Sequence, residues 1–229
     1  MQIQAVKVQR LYLQVAGQLQ ELIANGVFEA GSRLPSERDL AAQFGVSRPT
    51  IREAMIALEI AAVVEVRSGS GVYVLESHGK PEPLPRDQGA GPFEILEARR
   101  LIEGETCALA AARISDQQIR QLEQLLDAMA LENQQDDAAE QADQQFHHCI
   151  AEAAGNSALS ASVHWLWQLR NKSEISTRFH QRVRREGVRP IVADHKAILE
   201  ALKRGDANAA RRAMNDHLQR VIDHLLESE

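Results

Sequence analysis

Apolar positions recur at helical spacing from near the start of the chain. Leu11, Val15, Leu19, Leu22 and Ile23 share one face of a helix expected over residues 9–25, which Gly26 ends. In GSRLPSERDLAAQFG, Ser36 and Asp39 have the spacing of a capping box, and Leu40, Ala41 and Phe44 form the inner face of a short helix. Gly45 supplies a turn, and Ser47 caps a further helix running to about residue 61. The pattern then becomes strand-like in VVEVRSGSGVYVL, two short strands around a Ser-Gly-Ser-Gly tip. Helix, short helix, tight turn, helix and hairpin in that order predict a winged helix-turn-helix over residues 1–76.

Residues 77–92, SHGKPEPLPRDQGAGP, hold four of the seven prolines together with Gly79, Gly89 and Gly91. Repeated proline removes backbone donors, so this stretch reads as an interdomain linker. Beyond it the patterning is helical, with helices expected near 93–113, 116–133, 137–154, 157–180, 186–204 and 207–227. Asp116 and Asp206 are placed as caps or first-turn residues, and Gly155, Gly187 and Gly205 as breaks. The expected fold class is mainly α: a winged helix-turn-helix with a small β-hairpin wing, then an all-α helical bundle over residues 93–229.

Composition narrows the function classes. The 229 residues suit two domains, and a 44% hydrophobic content supports a core in each. No apolar run has membrane-spanning length, and MQIQAVKVQRLYLQ has no signal-peptide block, so a cytoplasmic protein with no membrane partner is expected. Cys107 and Cys149 form no CxxC, which argues against a disulfide framework or zinc knuckle. The net charge is −6, and residues 1–78 carry seven Lys/Arg against eight Asp/Glu. Bulk charge gives no argument for nucleic acid; only its placement can.

Along the helix from Arg48, Ile51, Ala54, Met55 and Leu58 fall on one side and Arg48, Pro49 and Arg52 on the other. The first turns of such a helix reach base edges, where an arginine fork can engage guanine O6 and N7 together. Arg38 and Ser47 are placed for phosphates, and Gly69 and Gly71 would let the wing backbone approach a minor groove. Any helix can carry exposed arginines; their combination within this element order favours DNA. The runs LPSERDLAAQFGVSRPTIREAMIALE and VVEVRSGSGVYV resemble the winged-helix domain of GntR-family regulators. That resemblance implies operator DNA as partner, contacted by Arg38, Ser47, Arg48, Thr50, Arg52 and, in the wing, Ser68 and Gly69. One departure is visible. Family members usually have glycine near the end of the recognition helix, where this chain has Ala61-Ala62, so the turn into the wing is expected to be built differently.

Three apolar stripes in the second half are interrupted by polar side chains. Asp143 and His147, four residues apart, interrupt the first, His195 the second and His217 the third. One carboxylate and three imidazoles from three helices could converge on a divalent ion such as zinc, nickel, manganese or iron. A lone histidine on an apolar face is otherwise a hydrogen-bonded core residue, and the spacing leaves both readings open. The other histidines read as surface or locally bonded groups.

The stretches ARRLIEGETCALAAARIS, DQQFHHCIAEAAGNSAL and DHKAILEALKRGDANAARRAMNDHL resemble the FCD-type C-terminal domain of the FadR branch of that family. The resemblance implies a metal, zinc foremost, held by Asp143, His147, His195 and His217 on the floor of an effector pocket. It also implies effector contacts from Arg99, which can clamp a carboxylate, and from Asn156. A surface ion pair of Arg99 with Glu103 and a helix cap at Asn156 are the plain alternatives. RLYLQVAGQLQELIANGVFEAGSRLPSER and GPFEILEARRLIEG are most like the hexuronate regulators of the ExuR and UxuR type. The expected function is a repressor of sugar-acid catabolism genes: a homodimer on a pseudo-palindromic operator, released by a small carboxylate, first of all a hexuronate. A lactate- or citrate-like effector is the alternative. A metal-dependent enzyme is a further rival, but no HExxH or general-base motif accompanies the cluster. A purely architectural DNA binder would gain more from aliphatic residues at those core positions.

Overall fold

The computed structural model describes residues 10–67, 69–76, 84, 89–135 and 140–227. One compact unit is Glu94–Leu225; the other comprises the residues before it, together with the chain end from Leu226.

The first unit contains α1 (Leu11–Ala24), α2 (Glu37–Phe44), α3 (Arg48–Ile60), β1 (Val64–Arg67) and β2 (Gly71–Val74). Ser36 caps α2 as its spacing indicates: its hydroxyl accepts from Asp39 N at 3.2 Å and donates to Asp39 Oδ2 at 2.7 Å. Gly45 ends α2 in the left-handed region at φ 65°, and Ser47 caps α3 through the amide of Thr50. Leu13, Ala16 and Leu19 of α1, Leu40 of α2 and Ile51, Met55 and Leu58 of α3 are core residues. β1 and β2 pair antiparallel from Val64 with Val74 to Arg67 with Gly71. The segment before α2 extends this hairpin, because Leu34 N donates to Val72 O, Val74 N to Ser32 O and Gly31 N to Val74 O.

Two details depart from the sequence reading. Arg52 does not share an open face with Arg48. It is 2% exposed, and its Nη1 donates to Glu37 Oε1 at 2.9 Å. Residues 51–58 of α3 are buried all round, so a side chain one turn beyond Arg48 meets α2 and not solvent. The turn after α3 passes through Ala62 at φ 53°, the left-handed conformation that glycine adopts without cost. The chain thus makes a glycine-type turn with alanine.

The second unit is helical: α4 (Pro92–Ala111), α5 (Asp116–Glu132), α6 (Gln141–Ala153), α7 (Ser157–Lys172), α8 (Glu174–Arg185), α9 (Val192–Lys203) and α10 (Ala207–Glu227). Ser115 and Gln118 form a capping box at α5, and Asp206 caps α10 by accepting from Ala209 N at 2.9 Å. The helix expected over 157–180 is instead two. Ser173 turns extended, with ψ 123°, and α8 then runs on to Arg185. The helix expected from 186 begins only at Val192. Pro190 has no amide proton and disfavours helix in the residue before it, while Gly187 takes φ 93°. Phe146, Trp167 and Phe179 are the largest side chains of this core.

Ala62→Gly relieves the left-handed strain at the cost of a more flexible unfolded chain, so it raises stability by about 0.5–1 kcal/mol in urea unfolding. Arg52→Met deprives the buried Glu37 carboxylate of this guanidinium and lowers stability by on the order of 3 kcal/mol. Unchanged unfolding of Arg52→Met would show that the ion pair contributes little to the fold.

Candidate metal centre and effector cavity

The polar residues that interrupt the apolar stripes meet in the second unit. Asp143 and His147 stand one turn apart on α6, His195 lies in the first turn of α9 and His217 lies midway along α10. One ligand atom from each lies within 4.8 Å of the others, and all four residues are buried. Helical spacing brings Asp143 and His147 to one side of α6; the other two arrive through the packing of separate helices.

Hydrogen bonds select the ring nitrogens. His195 Nδ1 donates to the Ile191 carbonyl at 2.9 Å, and its Nε2 lies 2.8 Å from Asp143 Oδ1. His147 Nδ1 meets Glu103 Oε2 in a short contact, while its buried Nε2, 3.6 Å from Asp143 Oδ1, has no hydrogen-bond partner. His217 Nδ1 lies 3.5 Å from Asp194 Oδ2, without good hydrogen-bond geometry. Asp194 also accepts from Arg220 Nε at 2.9 Å.

Orphaned imidazole nitrogens in a core are costly unless another partner satisfies them. Burial drives the pKa of His217 down to about 4, which keeps its ring neutral at pH 7 as a ligand requires. Burial opposes the charge on Asp143, but the imidazoles of His147 and His195 beside it outweigh burial and hold the carboxyl well below its ordinary value. Three imidazoles and one carboxylate fit a divalent ion. The donor set does not select among zinc, nickel, manganese and iron.

Asp143 and His217 also line a cavity of about 310 Å³. Its apolar wall includes Leu96, Val183, Val188 and Ile191, with Arg99, Arg170, Arg189, His180 and His224 set among them. Arg99 is 4% exposed, donates from Nε to Glu103 Oε1 at 2.7 Å, and stacks 4.0 Å over the Trp167 ring. The Arg99–Glu103 pair therefore exists, but it is buried beside the cavity and not at the surface. Glu140 also lines the cavity; its carboxylate is bound by Arg170 and, at 3.0 Å, by Arg184, on a backbone at φ 51°. Strained φ of this kind tends to collect at functional sites.

Several sequence assignments change here. Asn156 is exposed and does not line the cavity; its Oδ1 accepts from the amides of Ala158 and Leu159 as the N-cap of α7. His180 and His224, read as surface or locally bonded, line the cavity, and burial with Arg170 and Arg99 nearby keeps His180 neutral. Glu103 was visible only as a possible surface partner of Arg99, and Arg170 and Glu140 gave no signal, since charged residues on helices are ordinarily solvated.

The DNA-side residues lie in the first unit. Arg38 on α2 and Arg48 in the first turn of α3 are exposed, Ser47 is the N-cap and Thr50 is half-buried beside it. Gly69 is exposed in the hairpin turn at φ 71°. Ser68 lies outside the described residues, as do 77–83 and 85–88 of the expected linker.

Residues 11–74 match the family of bacterial regulatory proteins called gntR, and residues 94–220 match the FCD domain. The chain is 37% identical over 227 residues to the Uxu operon regulator of Haemophilus influenzae, covering 96% of this chain and 84% of that one. It is 38% identical over 226 residues to the Exu regulon transcriptional regulator of Escherichia coli K12, covering 92% and 82% respectively. A GntR-family transcriptional regulator from Pseudomonas syringae pv. tomato shares the fold at 19% identity, with a TM-score of 0.51 over 95% of this chain and 85% of that one. A helix-turn-helix with a hairpin wing, followed by a helical unit that buries three histidines and an aspartate, accords with these matches, and the chain belongs to the GntR family of DNA-binding transcription regulators, in the group that carries an FCD domain.

Proposed function

We propose that this chain regulates hexuronate catabolism genes, as a homodimeric repressor that leaves its operator when a hexuronate binds. Residues 1–76 read DNA, 77–92 link, and 93–229 sense the acid and dimerise. The observation that carries this reading is the shared cavity: Asp143 and His217 of the four-residue cluster and Arg99 line the same space. The names of the Uxu and Exu relatives supply the sugar-acid class.

A divalent ion bound by Asp143, His147, His195 and His217 would supply a Lewis acid for the carboxylate and neighbouring hydroxyl of the ligand. Arg99 has its Nε occupied by Glu103, and its terminal nitrogens make no hydrogen bond among the described residues, so they are the end that can receive a carboxylate. His180, kept neutral, both donates and accepts, as sugar hydroxyls require. The volume of about 310 Å³ equals roughly ten water volumes, more than a three-carbon acid needs. A dimer must read a pseudo-palindrome, with Arg48 at the base edges and Arg38 and the Ser47–Thr50 helix start at phosphates.

Purified protein holds about one divalent ion per chain, and chelation lowers its melting temperature by linkage; His195→Ala and His217→Ala each lose the ion. Full metal content in both variants would return these histidines to the core. Glucuronate or galacturonate, titrated into a fluorescent operator complex, releases DNA, and release disappears after chelation or in Arg99→Ala. Release by another organic acid and by no hexuronate would discard the sugar-acid assignment and leave the sensor standing.

A further inference from the structure

Glu103 bonds to both parts of the proposed site, the cavity arginine and a cluster histidine. It is 2% exposed, and each carboxylate oxygen has its own partner: Oε1 accepts from Arg99 Nε at 2.7 Å and Oε2 from His147 Nδ1. Arg99 and Glu103 are one turn apart on α4, while His147 comes from α6, so a single carboxylate joins the cavity arginine to a cluster histidine across two helices.

We propose that Glu103 is the positioning residue that sets His147 as a metal ligand and Arg99 as an anion clamp at the same time. This rests on the function proposed above. By accepting from Nδ1, Glu103 keeps the ring proton on that nitrogen and leaves Nε2, the buried atom without a hydrogen bond, with its lone pair towards Asp143. By accepting from Nε, it holds the guanidinium with its central carbon 4.0 Å over the Trp167 ring and leaves the terminal nitrogens without a hydrogen bond among the described residues. Glutamate is needed because two donors converge on it, one at each oxygen. A glutamine of the same size has a single acceptor oxygen. Whichever way its amide turns, either Arg99 or His147 faces an N–H group. If that partner is His147, the ring must move its proton to Nε2 and lose the ligand lone pair.

The test uses the full-length protein loaded with zinc. Zinc affinity is measured by competition with a fluorescent chelator, galacturonate affinity by calorimetry, and folding by the melting of the metal-free protein. Glu103→Gln weakens zinc binding about 10–100-fold and galacturonate binding as well; because Arg99 loses its buried carboxylate, the metal-free melting temperature also falls, and both affinities are read at a temperature where the metal-free variant is fully folded. Arg99→Lys keeps a cation beside Glu103 but loses the planar fork, so it weakens galacturonate binding and leaves zinc affinity within about twofold. In the unmodified zinc-loaded protein, nitrogen-15 spectra of labelled histidine place the His147 ring proton on Nδ1, a readout independent of any variant. Zinc affinity in Glu103→Gln within twofold of the parent, an equal loss in both variants, or a His147 proton on Nε2 would overturn the proposal. A parent protein that binds no zinc would instead overturn the metal-dependent reading beneath it.

Discussion

The second unit is organised around the burial of charge. Asp143, Glu103, Arg99 and three imidazoles are all in the core. Each would be costly there alone, since a polar group without a partner forfeits its hydration. The hydrogen bonds run as a chain from Arg99 through Glu103 to His147, and from Ile191 through His195 to Asp143. They draw on α4, α6 and the start of α9, so the polar network fixes how these helices meet. Glu103 shows the balance. Burial alone would raise its pKa, but Arg99 and His147 outweigh burial and hold it at about 2.

How much of this was readable from the sequence depended on whether a feature is local. Ser36, Ser47 and Gly45 act within a few residues, and their capping and turn roles appear in the structure as the spacing indicates. The interruption of three apolar stripes was also local, and it located all four cluster residues, because a polar group on an otherwise apolar helix face is unusual enough to register. The break at Ser173 was not readable. No proline or glycine marks it, and Ser173 has no side-chain cap bond to give it away. Arg170, Glu140 and His180 were missed for a related reason: their place at the cavity follows from how α6, α7 and α8 pack together, which no single-helix pattern encodes.

Three arginines show how far environment governs a residue type. Arg48 stands exposed in the first turn of α3; Arg52, one turn later, is buried against Glu37. By helical period they belong to one face, yet α2 covers one and leaves the other open. Arg99 is buried like Arg52 and is paired with a carboxylate like Arg52, but only its Nε is engaged and it lines a cavity. An arginine held at Nε and open at its terminal nitrogens is oriented without being used up, which is the state suited to receiving an incoming anion. Period alone separates none of these three cases.

A ligand can alter DNA binding only through a difference in its affinity for two arrangements of the protein, and operator and ligand must then weaken each other equally. On the proposed reading, the residues that meet the ligand sit on α4, α6, α7, α8 and α10, and the cluster adds α9. A ligand oxygen arriving at Asp143 and His217, with a carboxylate at Arg99, would therefore act on most of the helices of the unit at once. Because packed helices change in discrete steps and not by smooth deformation, small displacements at such a shared point can select between whole packings. A loosely built pocket could bind the same acid without that consequence. The dense polar network around Glu103 is what would convert occupancy into a choice between arrangements.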